Sequence, residues 1–268
     1  MMSGLSPSND EYYPTVVIHA LMKILRDNSL SAHHTGVIQA VMSTFKSLGL
    51  KCIPFLAIVM PPFFSVIKTC SSAILEFYVQ QLGTLVRIVK QHIRNYLDDL
   101  FAVIREHWSV NTTIQITILG LIDSICTSLE GEFRVHIPSL LPLILQVFET
   151  DTSERRHLSH KALQTLENFG SNTEEYLHLV IPSIVKIMER ADAPILLRKS
   201  AIQTIGKICR KLHFADHSSK IVHPLMRSLN FPNQDIKQVA MDTLTLIAYH
   251  LGQDFSIFIP VINKVEYL

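Results

Sequence analysis

The sequence predicts an all-α fold assembled from repeated helix pairs, and three observations carry that prediction. The first is a registered motif. Ala162-Leu163-Gln164-Thr165-Leu166, Ala201-Ile202-Gln203-Thr204-Ile205 and Ala240-Met241-Asp242-Thr243-Leu244 share one pattern at a spacing of 39 residues. The second is hydrophobic periodicity. Leu140, Leu141, Ile144, Val147 and Phe148 fall on one stripe, as do Ile181, Ile184, Val185 and Met188, with the spacing of an amphipathic helix. The third is composition: 48% hydrophobic residues, with only 9 Gly and 12 Pro among 268, suit a folded, helix-rich chain.

The repeated unit has two parts. Residues 136–151 are followed by 154–170, 180–192 by 196–212, and 221–230 by 234–251. Pro138, Pro182 and Pro224 stand 44 and 42 residues apart, and the first two are expected at helix starts, where a missing N–H costs nothing. In the partner segment Leu158, Ala162, Leu166 and Phe169 form a stripe, and the small Ala162, Ala201 and Ala240 allow two helices of a pair to approach closely. A single pair cannot bury such faces, so the units must stack on their neighbours. A period near forty residues built from two helices is that of HEAT or armadillo arrays. The expected architecture is a HEAT/armadillo-type α-α superhelix, right-handed, a solenoid of about six helix pairs.

Residues 1–11 are polar and read as a loose segment, and 12–268 as a single solenoid segment without an internal boundary. Tyr13-Pro14 opens a helix to about Arg26, with Val16, Val17, Ala20, Leu21, Ile24 and Leu25 expected inward. A turn over 28–34 leads to a second helix that stops at Gly49, a residue suited to ending a helix. Further helices are expected over 53–68, 73–90, 93–108 and 112–129, with Gly131 after the last. The uncharged run from Cys52 to Ile67 contains Pro54, Pro61 and Pro62 and has 16 residues, whereas a membrane span needs roughly 20. It reads as a buried solenoid helix, kinked or restarted at Pro61-Pro62. A final helix from about Phe255 carries Phe255, Ile257, Phe258, Ile259, Val261 and Ile262 without its partner helix, which predicts self-association through that face.

Bulk charge is nearly balanced, 24 Lys and Arg against 23 Asp and Glu, and points to neither nucleic acid nor a membrane surface. Cys52, Cys70, Cys126 and Cys209 have no C-x-x-C pairing and read as reduced core residues of a cytosolic or nuclear protein. The start, MMSGLSPSNDEYYP, has neither the basic cluster nor the apolar run of a signal peptide. Thirteen histidines invite a metal reading, with His157 and His160, and His213 and His217, at spacings that share a helix face. Neither pair has the further ligands that zinc requires, and His33-His34 sits in a turn, so no metal site is expected. The phosphate- and metal-holding elements of a kinase are absent: no glycine-rich loop, no H-R-D, and Asp254-Phe255 is followed by Ser256. No P-loop and no G-x-S-x-G elbow occur either. The expectation is therefore no catalytic residue, no cofactor and no small-molecule substrate. Charge is unevenly spread along the chain. Seven Lys or Arg lie between Arg198 and Arg227 against Asp216 alone, while 149–192 holds eight acids and five bases. Solvated faces of adjacent repeats explain this best, with protein docking next; Phe214 is the one aromatic there, too few for nucleic-acid stacking.

DEYYPTVVIHALMKILRDNSLSAHHTGVIQAVMSTFKSLGLKC (10–52), EEYLHLVIPSIVKI (174–187), QVAMDTLTLIAYHLG (238–252) and FIPVINKV (258–265) resemble the middle HEAT-repeat region of the target-of-rapamycin kinases, over about 10–265. The resemblance implies a scaffold segment of a very large serine/threonine kinase of the phosphatidylinositol-3-kinase-related class, with the catalytic domain elsewhere. It implies complexes with raptor-type or rictor-type subunits and a second kinase copy, in signalling to growth, translation and autophagy. It also implies a cytoplasmic protein that reaches the lysosomal or another endomembrane surface through the parent complex. The family's repeats continue past Asn263-Lys264-Val265, whereas this sequence ends Glu266-Tyr267-Leu268, so it reads as a truncated segment. The alternative is a free-standing HEAT adaptor, a transport or phosphatase-scaffold protein.

Overall fold

The computed structural model of the chain describes residues 12–260. It separates into two compact units, Met1–Glu130 and Gly131–Leu268. The expected loose segment 1–11 and the apolar residues Val261 and Ile262 lie outside the described residues.

The first unit holds α1 (Tyr12–Leu25), α2 (His34–Leu48), α3 (Leu56–Thr69), α4 (Ser72–Val89), α5 (Leu97–His107) and α6 (Thr112–Leu129). Consecutive helices pair as α1 with α2, α3 with α4 and α5 with α6. The pairs stack so that α1, α3 and α5 form one layer and α2, α4 and α6 the other. The face that α1 buries is Ile18, Met22 and Leu25, while the expected inward residue Val17 is 43% exposed. The helix is apolar on most sides, so composition does not choose its face; packing against α2 and α3 does. Pro61 and Pro62 lie inside an unbroken α3, which neither stops nor restarts there. Phe63 meets Tyr78 of α4 edge-on at 6.1 Å between ring centroids, and both side chains are fully buried.

The tightest contact of this unit is between α4 and α6. A side chain at Gly83 would place its Cβ 3.6 Å from Ser124 Oγ and 3.8 Å from the Leu121 backbone. The absent side chain lets the two backbones approach, and polar links follow: Arg87 Nη1 donates to Ser124 Oγ at 3.3 Å and Ser128 Oγ to the Val86 carbonyl at 3.3 Å.

The second unit holds α7 (Ile137–Thr150), α8 (His157–Phe169), α9 (Leu177–Glu189), α10 (Ile195–Lys211), α11 (Ser218–Leu229) and α12 (Gln234–Leu251). Here α7, α9 and α11 form one layer and α8, α10 and α12 the other. Ala162, Ala201 and Ala240 are all fully buried, as their register predicts. The proline register is different from the expected one. Pro182 is interior to α9, six residues into the helix, and its counterpart is Pro142 of α7 rather than Pro138. Residues 40 apart match along the whole of both helices: Ile137 with Leu177, Leu140 with Val180, Leu141 with Ile181, Ile144 with Ile184, Val147 with Ile187 and Phe148 with Met188, every one buried. Both interior prolines face solvent. Pro138 does occupy the first turn of α7.

A second periodic feature runs between the pairs. Gly49, Lys90, Glu130, Gly170 and Gly252 end α2, α4, α6, α8 and α12 with φ between 51° and 56°. Each opens a seven-residue 3-10 segment, as in Gly49–Phe55 and Lys90–Tyr96. The first four stand 40 or 41 residues apart, and the third residue after each (Cys52, Ile93, Phe133, Thr173) is buried. These segments displace the expected helix starts at Ile53 and Ile93 to Leu56 and Leu97. They also move the break expected at Gly131 one residue back, to Glu130. The run expected to be a final helix from Phe255 begins instead as the 3-10 segment Gly252–Phe258, in which Phe258 is buried and Ile257 is 65% exposed.

Candidate interaction surface

The turns within two of the pairs, α1–α2 and α7–α8, are built on an Asp-x-Ser motif. Asp151 accepts from the Ser153 amide and hydroxyl at 3.1 and 2.6 Å through Oδ1, and from the Ser159 amide and hydroxyl at 2.9 and 2.8 Å through Oδ2. Burial pushes the Asp151 pKa up, but these four hydrogen bonds outweigh it and hold the carboxyl below its ordinary range. Asp27 makes the same start with Ser29, at 2.9 and 2.6 Å. There the buried His34 bridges the Ile24 and Asp27 carbonyls through Nε2 at 3.2 and 3.0 Å, closing the open end of α1.

In the second unit an arginine does that work. Arg198 is buried, donates to the Met188 carbonyl, and reaches the Arg190 carbonyl at 2.6 Å. These carbonyls lie at the C-terminus of α9, beyond the reach of the helix's own amides, where a cation is also favoured by the helix dipole. The guanidinium lies over the Phe231 ring at 4.6 Å. Next to it Arg190 holds Asp192 in a fork at 3.0 and 2.8 Å and donates to the Phe148 carbonyl of the preceding repeat at 2.6 Å. Arg156, itself buried at φ 49°, adds a third contact to Asp192 at 2.9 Å. The Arg190 hydrogen bonds pull the Asp192 pKa down to about 2. The turns of successive pairs are thus tied together by one carboxylate and two arginines.

Farther out, exposed charges of successive repeats pair in register. Lys186 meets Glu149 at 2.8 Å, Lys207 meets Glu167 at 2.8 Å, and Arg227 Nε meets Glu189 at 2.8 Å. Lys199 meets Asp235 at 3.5 Å, and Thr204 donates to Glu167 at 2.6 Å. The partners lie 36–40 residues apart, one repeat. Two bases of the basic stretch, Lys207 and Arg227, thus meet two acids of the acidic stretch, Glu167 and Glu189, one repeat earlier. The signal was present in the spacing of opposite charges, but a count over each stretch averages it away.

Between α9 and α11 lies an open groove of about 600 Å³ with a mostly apolar lining. The histidine pairs are arranged differently from expectation. His157 and His160 do share α8, but His213 precedes the short 3-10 turn that ends at His217, so no helix face joins that pair. Burial lowers the His160 pKa, with His157 adding to the effect. Among the described residues no group of three or more His, Cys, Asp or Glu could hold a metal ion. The cysteines are free, and burial pushes the Cys52 thiol up to about 11 and Cys209 to about 12, which keeps them protonated and unreactive.

Two stretches, Asn28–Thr69 and Thr112–Thr150, are long and apolar enough to cross a membrane by length and composition alone. Neither is one helix. The positive φ at Gly49 and Glu130 breaks them, and half or more of the apolar window in each is buried within the protein. They are core helices of the repeats.

A family model described as the serine/threonine-protein kinase mTOR domain matches residues 1–90. The chain is 45% identical over 264 residues to serine/threonine-protein kinase TOR2 of Saccharomyces cerevisiae, covering 98% of this chain and 10% of that protein. It is 43% identical over 255 residues to serine/threonine-protein kinase tor1 of Schizosaccharomyces pombe (95% and 11%). To serine/threonine-protein kinase mTor of Drosophila melanogaster it is 42% identical over 264 residues (98% and 11%). The chain therefore spans about a tenth of the length of the curated relatives it matches. Among solved structures, importin beta superposes with a TM-score of 0.67 at 15% identity, covering 94% of this chain and 34% of that one. A designed armadillo repeat protein gives 0.57 at 14% identity, with 86% and 99% covered. At such identities these structures speak to the fold alone, an α-helical repeat solenoid.

Proposed function

The chain is a HEAT-repeat segment of the target-of-rapamycin family of serine/threonine protein kinases, and from that premise we propose that it is a non-catalytic scaffold on which the kinase assembles its protein partners. The observation that carries this reading is 45% identity sustained over 98% of a chain whose described residues are helical repeats and include no kinase fold. Repeat arrays offer long side-chain surfaces to other proteins rather than enclosed pockets. The partners proposed are raptor-type or rictor-type subunits and a second kinase copy, met in the cytoplasm or at an endomembrane surface through the parent complex. Residues 12–268 are proposed to act as one segment, because a single alignment to the relatives runs through both compact units.

A segment exchange tests this. In the full-length Saccharomyces cerevisiae relative, the matching stretch is replaced by consensus armadillo repeats of equal helix count. Co-purification of raptor-type or rictor-type subunits, or of a second tagged kinase copy, is expected to be lost. Phosphorylation of a short peptide by the purified kinase domain is expected to persist. Unchanged assembly would overturn the scaffold reading. The free-standing transport or phosphatase adaptor expected as the alternative gains no support, because the likeness to importin beta at 15% identity speaks to the fold alone.

A further inference from the structure

We infer that the groove between α9 and α11 is a docking site for an acidic amphipathic helix of a partner protein, an inference that rests on the scaffold reading and gives it a place and a chemistry. The apolar part of the lining is Pro182 and Val185 from α9, with the buried Pro224 of α11 beside them, and charged side chains flank it. Pro182 and Val185 are three residues apart, so they present one continuous apolar strip to whatever lies in the groove. An amphipathic helix fills such a trough with side chains at the same three- and four-residue spacing.

Charge selects the kind of helix. Lys186 and Arg190 stand on the α9 side and Lys220 and Arg227 on the α11 side, against Glu189 as the single acid of the lining. The carboxylates that pair with Lys186 and Arg190 are Glu149 and Asp192, which lie outside the groove. Glu189 is already engaged by Arg227. Lys220 is exposed and makes no ion pair among the described residues. A helix whose apolar stripe sits on Pro182, Val185 and Pro224 would carry flanking carboxylates to Lys186 on one wall and Lys220 on the other. A helix flanked by lysines would meet like charge on both walls. The groove is also wide open to solvent, which suits a polypeptide better than an enclosed small molecule.

The 268-residue chain is titrated, with fluorescence anisotropy as readout, against a labelled helical peptide of leucine and glutamate in amphipathic order. The matching leucine–lysine peptide and vesicles containing phosphatidylserine are titrated in parallel. Saturable binding is expected for the glutamate peptide alone, weakening as salt is raised. Lys220→Glu is expected to weaken it by roughly threefold to tenfold, and Lys220→Arg to leave it unchanged. Lys220 takes part in no ion pair, so the reversal spares the fold, and a matching melting temperature verifies that. Equal binding of both peptides, wild-type affinity in Lys220→Glu, or binding to vesicles instead of peptide would each overturn the inference. Assembly and peptide binding are separate readouts. A chain that supports assembly but does not bind the peptide removes the groove and leaves the scaffold; a chain that binds the peptide but whose exchange leaves assembly intact removes the scaffold reading.

Discussion

Arg198 shows how much a single side chain can carry in a repeat protein. It sits in α10 yet satisfies two carbonyls at the end of α9, and it does so while nearly excluded from water. Burial lowers its pKa, opposed by Asp192, so the charge is tolerated only because acceptors and an aromatic face surround it. Arg198→Ala leaves both carbonyls without a partner and is expected to cost about 2–4 kcal/mol in denaturant unfolding. Arg198→Lys should recover only part of this, since an ammonium cannot span two carbonyls and lie flat on Phe231. If the lysine variant is as stable as the parent, the fork geometry is not what matters. From the sequence this arginine was one of seven bases in a stretch. Its role depends on where Met188 and Arg190 end their helix, which spacing within α10 does not reveal.

At the scale of elements, the helix pairs follow from periodicity, and the segments between them follow from a backbone requirement. Five of the second helices of pairs end in a residue with positive φ that starts a 3-10 turn. Glycine occupies three of these positions, and at Lys90 and Glu130 a side chain is held in a conformation that L-residues rarely adopt. Gly49 was legible as a helix stop. The other two positions were not, because lysine and glutamate carry no such signal and only the 40-residue spacing marks them. Lys90→Gly removes the steric cost at φ 52° and is expected to raise stability by about 1 kcal/mol, less the entropy that glycine adds to the unfolded chain. Thermal unfolding decides it: a clear loss of stability would mean that the Lys90 side chain makes a contact worth more than the strain. The same scale explains the proline correction. Pro142 and Pro182 are tolerated inside α7 and α9 because both face solvent, where water can satisfy the carbonyl that each proline leaves free.

Across the whole chain, near-neutral charge hides an ordered arrangement in the second unit, where acids of one repeat meet bases of the next. These pairs are largely exposed and each contributes only about 0–1 kcal/mol, so they set the register between repeats more than they hold the fold. In the groove between α9 and α11 they leave Lys220 without an ion pair among the described residues. The same scale carries the functional prediction. Phosphoryl transfer needs backbone and side chains that cradle phosphates and magnesium, and the helical repeats of the described residues present none. Isothermal titration of the 268-residue chain with magnesium–ATP is expected to give no saturable heat, and a saturable isotherm would refute the non-catalytic reading.

The sequence by itself determined the all-α class, the paired repeat, its register at Ala162, Ala201 and Ala240, and the family. Each of these is written in local spacing or in long stretches of similar residues. Tertiary structure alone decided which face of α1 is buried, where the second helices of pairs break, which prolines correspond, and which charges are neutralised. Those outcomes depend on atoms brought together from positions a whole repeat apart. A one-dimensional pattern gives the period of such contacts. Only packing selects, among several apolar faces and several bases, the ones that meet.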